Sequence, residues 1–239
     1  MHRDLINRAV GLLVPPRCAA CAAATEPSAW ICFRCRGELE RMPIGRSDQT
    51  CFAAFPHRAE ARSLVAALKF EGAVAVAEEL AELMRPRLPT WFAEADWLVP
   101  APPHPARRRA RGYNQSLLLA RALAQGTELL VVDCLRRAEV APPQSQLSRA
   151  RRLQMPASAI TVDERAIRQH TPNSLAVFPT NVVVCDDVVT TGVTLEVCAQ
   201  AIRERHHPTG SVLARSVSFA SAGRQTRTSD RIAPAPLAS

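Results

Sequence analysis

Lysine is almost missing from this chain: of its 30 Lys and Arg residues, only Lys69 is a lysine. The net charge of +8 is therefore carried by guanidinium groups, which suit planar, two-point recognition of phosphate oxygens. A biased genome composition gives the same skew. The positive balance is compatible with a nucleotide or nucleic-acid partner. Aromatic residues are also scarce, at 5%, which leaves few platforms for stacking bases, Trp30 and Phe33 being the best placed. No uninterrupted apolar stretch reaches the roughly 18 residues a membrane span requires. The opening segment, MHRDLINRAVGLLVPP, has an apolar run too short for a signal peptide and no small-residue cleavage site before Cys18. A cytoplasmic location is expected, where thiols stay reduced and clustered cysteines serve as ligands rather than disulfides. The six histidines form no metal-ligand spacing, and the sequence contains no internal repeat.

Cysteine is what the N-terminal region does have. Cys18-x2-Cys21 is followed after ten residues by Cys32-x2-Cys35. Two such knuckles let four thiolates converge on one tetrahedral Zn²⁺, which can hold a segment with little core of its own; a redox pair is the other reading. Residues 1–45 are expected to form a zinc-ribbon module. Cys51, Cys134, Cys185 and Cys198 lie among apolar neighbours and read as core.

Beyond it, strands alternate with helices. Cys51 to Phe55, Trp97 to Pro100, Leu129 to Leu135, Ala159 to Val162, Val182 to Cys185 and Val212 to Ala220 read as strands. Glu60 to Met84 reads as a long helical stretch with a break at Gly72, and Ser116 to Ala124 as an amphipathic helix. That alternation predicts an α/β domain over residues 46–220, with a parallel sheet flanked by helices. Residues 221–239 are polar and Pro/Ala-rich and read as a disordered tail.

The densest chemistry lies in VVVCDDVVTTGVTL, Val182 to Leu195. A buried strand is followed by Asp186 and Asp187, then a Thr/Gly turn, then a helical segment. The N–H groups at a helix start lack intrahelical partners and favour an anion. Gly192 permits close approach, and Thr190, Thr191 and Thr194 add hydroxyls, with Val193 completing the turn. Paired carboxylates repel phosphate, so they need another partner, and vicinal ribose hydroxyls supply one. A sugar phosphate satisfies both halves.

A second segment, LVPAPPHPARRRARGYNQ from Leu98 to Gln115, leaves a strand, crosses prolines and enters a helix at Asn114. Arg107, Arg108, Arg109 and Arg111 could neutralise a pyrophosphate there; Gly112 allows tight approach, and Asn114 can cap the helix. A basic run alone is usually a solvated face, but this one follows a central strand of the same proposed sheet.

The Val182–Leu195 segment resembles the phosphoribosyl-pyrophosphate (PRPP) motif of type I phosphoribosyltransferases. That resemblance assigns the ribose hydroxyls to Asp186 and Asp187 and the 5′-phosphate to Thr190–Thr194. Enzymes acting on 6-oxopurines carry an acid where this chain has Thr190, so that branch is disfavoured. Taken with the four cysteines, LVAALKFEG, VPAPPHP, RARGYNQ and PQSQLSRARR, the order of segments resembles the ComF family, over nearly residues 5 to 220. The resemblance implies a type I phosphoribosyltransferase fold with a mobile hood, a zinc-binding N-terminus, Mg²⁺ carried with PRPP, and handling of incoming single-stranded DNA in natural competence, in company with DNA-uptake or recombination machinery. Gln144 to Met155 takes the place of the hood, where Arg149 and Arg152 could reach pyrophosphate; Met155 stands where the family pattern has Asn. Lys69 reads as a lysine snorkelling from an amphipathic helix. His2, in place of a cysteine after Met1, argues against a glutamine amidotransferase. Two alternatives stay open: a non-catalytic single-stranded DNA adaptor that keeps the sugar-phosphate pocket, and a phosphoribosyltransferase of nucleotide metabolism.

Overall fold

The computed structural model describes residues 16–26, 29–69, 73–138, 157–170, 179–206 and 212–222. The hood segment with Arg149 and Arg152, the break at Gly72 and the tail from residue 223 lie outside the described residues. Strands are β1 (Arg46–Ser47), β2 (Cys51–Pro56), β3 (Trp97–Pro100), β4 (Leu130–Val131), β5 (Leu135–Arg137), β6 (Ile160–Val162), β7 (Asn181–Val189) and β8 (Leu213–Ser221). Helices are α1 (Phe33–Arg41), α2 (Ala59–Ala67), α3 (Ala73–Met84), α4 (Pro105–Arg111), α5 (Gln115–Ala124), α6 (Glu164–His170) and α7 (Val193–His206).

The main sheet runs β1-β2-β8-β7-β3-β4, parallel throughout except for the edge strand β1. β7 occupies the centre because its β-branched run is buried on both faces, as parallel strands covered by helices require. Val183 and Cys185 point into one layer with Leu64, Leu80, Leu119 and Phe219, under α2, α3 and α5. Val182 and Val184 point into the other with Val99, Leu195, Cys198 and Ile202, under α7. Asp96 fixes the start of the β3–β7 seam: its Oδ2 accepts from the backbone N–H groups of Thr180 and Asn181, both at 2.9 Å.

Three expectations change. The stretch Leu129–Leu135 splits, because the chain turns after Val132. Arg136 holds that turn by donating to the Asp133 carbonyl at 3.0 Å and pairing with Asp163 at 3.0 Å. β5 then pairs antiparallel with β6, so Ala159–Val162 contributes to a separate two-stranded ribbon and not to the main sheet. The long helical stretch, by contrast, is broken as expected: α2 ends at Ala67 and α3 begins at Ala73. The third change concerns Asp186 and Asp187, expected beyond the end of their strand. They lie within β7, because β8 extends far enough to pair Asp186 with Ser218 and Val188 with Ala220.

The four-cysteine segment packs continuously with the first layer: Cys18, Ile31, Cys35 and Leu39 belong to the same buried cluster as Leu64 and Leu80. Two polar ties reinforce this. Glu79 of α3 accepts from the Trp30 N–H at 2.9 Å and pairs with Arg36. Arg87 donates to the carbonyls of Leu39, Glu40, Met42 and Ala54, with its guanidinium 4.4 Å from the centroid of the Phe55 ring. Three of those carbonyls lie at the end of α1, where the last carbonyls of a helix lack intrahelical donors. Among the described residues no helix is long and apolar enough to cross a membrane.

Candidate ligand-binding crevice and four-cysteine site

From β3 the chain moves to β4 on one side, and from β7 it moves to β8 on the other. The β3–β7 seam is thus a topological switch point, where diverging connections leave a crevice beyond the strand ends. A cavity of ≈ 400 Å³ opens there. β3 delivers Ala101, Pro102, Pro103 and His104 to its wall; β7 delivers Asp186 and Asp187; α4 delivers Arg107 and Arg111. Thr190 and Thr194 line the same space.

Each of these side chains has a local reason for its place. Pro105 opens α4 with a fixed φ suited to a first helical turn, and His104 caps it by accepting from the Ala106 N–H through Nδ1 at 3.3 Å. Arg107 and Arg111 are four residues apart and share one face of α4. Arg108 and Arg109, further round, are exposed and do not line the cavity. Gly112 ends α4 in the left-handed region, at φ 80°, a conformation that costs a side-chain-bearing residue more. Asn114 is committed to structure: its Oδ1 accepts from the Ser116 N–H at 3.0 Å and its Nδ2 donates to the Ala101 carbonyl at 3.2 Å. Neither Gly112 nor Asn114 faces the cavity.

The acid pair is organised from two directions. Ser116 of α5 donates to Asp186 Oδ1 at 2.8 Å, and the Asp187 N–H donates to the same oxygen at 2.9 Å. Burial, followed by the neighbouring Asp187 charge, holds the Asp186 carboxyl well above its ordinary range, while the Ser116 bond pulls the other way. The Thr/Gly turn divides between two spaces. Thr191, Gly192 and Val193 line a smaller cavity of ≈ 220 Å³ with Arg46, Arg215 and Glu196. The split follows from Gly192, at φ +86°, which turns the chain into α7 with Arg46 Nη1 only 3.4 Å from where a Cβ would sit.

Four further residues reach the larger cavity that the sequence reading either passed over or read otherwise. His57 follows the end of β2, and its imidazole is held below its ordinary value by burial, Arg62 and Lys69, with Asp187 opposing. Lys69 does not snorkel from a helix: α2 ends at Ala67, and Lys69 stands in the following turn and faces the cavity. Tyr113 steadies that turn by donating to the Leu68 carbonyl at 2.9 Å. Gln115 and Arg137 complete the wall. The available signal for His57 was its position just after a strand, and for Gln115 its place beside the capping Asn114.

The sulfur atoms of Cys18, Cys21, Cys32 and Cys35 all lie within 4.8 Å of one another. Tetrahedral thiolate sites with metal–sulfur bonds of about 2.3 Å put sulfurs about 3.8 Å apart, and Cys21 and Cys32 stand at 3.7 Å. The Cys32 N–H donates to Cys18 Sγ at 3.3 Å, the kind of outer contact that orients a thiolate ligand. Cys32 also precedes α1, so the helix carries the second knuckle. Cys21 is lowered to about 6, first by the Ala23 backbone N–H and then by the Cys35 thiol, whereas burial pushes Cys35 up. The four cysteines fit one metal ion such as zinc, and among the described residues they are the only group of three or more potential ligands so placed.

No family model matches the sequence. No curated protein matches it either. Among solved structures, the crystal structure of TT1426 from Thermus thermophilus is 19% identical, over 62% of this chain and 85% of that chain, with a TM-score of 0.26. A likeness that slight carries no argument about fold or site.

Proposed function

We propose that this protein binds PRPP, or a related ribose 5-phosphate, in the crevice at the β3–β7 seam. One observation carries the reading: an acid pair and an arginine pair face a single cavity of ≈ 400 Å³ at a switch point of the sheet. A ligand with hydroxyls on one side and phosphates on the other uses both charges, whereas a simple anion or a simple cation wastes one. On this reading Asp186 and Asp187 accept from the ribose hydroxyls, Arg107 and Arg111 meet the pyrophosphate, and Thr190 and Thr194 meet the 5′-phosphate. Mg²⁺ would arrive with the ligand, held mostly by phosphate oxygens and water.

The order of segments further supports a type I phosphoribosyltransferase-like, ComF-like protein, cytoplasmic, with a zinc-bearing N-terminus and a part in handling single-stranded DNA. If it turns over, a nucleophile displaces pyrophosphate at C1 of PRPP, and the protein contributes positioning and charge neutralisation. His57, which lines the cavity with its imidazole held below the ordinary value by burial, is the cavity's candidate to take the acceptor's proton. The second reading, a non-catalytic DNA adaptor, draws on Phe33, 94% exposed next to Cys32, with Trp30 nearby at 38%. Exposed aromatics beside arginines suit base stacking. PRPP-dependent pyrophosphate release, assayed over a panel of bases with and without single-stranded DNA, separates the two. Release favours the enzyme; PRPP binding without release under any acceptor favours the adaptor.

A further inference from the structure

Among the described residues, one buried side-chain nitrogen or oxygen has no hydrogen-bond partner: Nε2 of Gln115. The residue is 4% exposed and contributes to the wall of the larger cavity. An amide donor buried without a partner costs stability that an apolar side chain of the same shape would not. The residues on either side are fully engaged: Asn114 caps α5 and bonds Ala101, and Ser116 bonds Asp186. Those two anchors fix the direction of the first turn of α5, and with it the point from which the Gln115 side chain meets the cavity wall. In the chain it lies between Arg111, on the cationic lip, and Ser116, which touches the acid pair. In a ribose 1-pyrophosphate the corresponding junction is the anomeric centre, where the hydroxyl-bearing ring meets the first phosphate.

Building on the sugar-phosphate reading above, we propose that Gln115 is a specificity residue whose amide donates to an oxygen of the 1-pyrophosphoryl group. The unpaired donor gains its partner when the ligand binds. It favours ligands that carry a phosphate at C1 over those that end in a hydroxyl there.

The test uses the full chain and two variants, Gln115→Met, which keeps volume and loses the donor, and Gln115→Glu, which keeps shape and adds a negative charge. Each is melted without ligand and titrated by calorimetry with PRPP·Mg²⁺, pyrophosphate·Mg²⁺ and ribose 5-phosphate. Gln115→Met should melt at or above the wild-type temperature while its affinity for PRPP and pyrophosphate falls about tenfold. Its affinity for ribose 5-phosphate should change less than twofold, and Gln115→Glu should lose more of the first two. A Gln115→Met protein that melts lower and keeps its PRPP affinity makes the residue structural and overturns the assignment. Equal losses for PRPP and ribose 5-phosphate also overturn it, leaving the reading of the crevice intact. Wild-type protein that binds none of the three ligands overturns that reading, and this assignment with it.

Discussion

The four-cysteine site and the crevice both gather charge, and they are held together in opposite ways. The cysteines come from one short stretch, Cys18 to Cys35, and bring groups of one kind within 4.8 Å. As thiolates they repel one another, and a metal ion such as zinc would reconcile them. The crevice draws on residues from His57 to Thr194 and sets acids against arginines. Its walls are fixed by ladder bonds along β3, β7 and β8 and by two hydrophobic layers that owe nothing to a ligand. A metal ion would complete the first site, whereas the sheet already frames the second. They are joined through α3 and Arg87, so the contrast can be tested from both ends.

The largest effect is expected from removing the metal. Purified protein should carry about one zinc per chain, and chelation or Cys35→Ser should expose Arg34, Arg36 and Arg41 to trypsin while the strands from β3 onward stay resistant. Elemental analysis with mass-spectrometric mapping of the cleavage sites reads both. A metal-free preparation with unchanged N-terminal resistance would remove the contrast. Next comes the joint between the regions. Arg87→Ala leaves four carbonyls without their charged donor and strips a cation from the Phe55 ring. A loss of about 2–4 kcal/mol in urea unfolding is expected, and a change below about 0.5 kcal/mol would show that the two regions are uncoupled.

The same contrast decides what was legible in the sequence. Cysteine spacing is local, so the knuckles could be read directly, and so could β7, whose apolar run is its own signal. The acids, the threonines and the arginines could be named as types, but the cavity they share depends on strand order. Arg107 and Arg111 separate from Arg108 only once α4 exists and sets their faces. His57 and Lys69 follow different elements and meet the acids only through the sheet and the turn after α2. The split of Leu129–Leu135 was hidden because Arg136 and Asp163, which hold that turn, are distant in sequence. For the same reason the acids lie inside β7: the length of β8 decides where that strand ends.

A smaller effect concerns pH. The Asp186 carboxyl is held well above its ordinary value of 3.8 by burial and by Asp187. The folded state therefore binds that proton more tightly than the unfolded state does. The stability it contributes is present at low pH and is lost as pH rises through the raised folded value. Asp186→Asn keeps an acceptor for Ser116 and abolishes the titration, so its melting temperature should fall less between about pH 4 and about pH 8 than that of the wild type, by a few degrees. Parallel pH profiles would mean that the carboxyl is not held in this way.

The central claim is that a sugar phosphate binds where the acids of β7 face the arginines of α4. Calorimetric titration of PRPP·Mg²⁺ into wild-type protein and into the Asp186→Asn, Asp187→Asn double variant tests it most directly. Saturable binding to the wild type is expected, weakened in the variant by about 1.5–3 kcal/mol for each charge-assisted bond lost, with the fold retained by circular dichroism. Equal affinity in the two proteins would contradict the account, because the ligand would then be held somewhere other than the β3–β7 crevice.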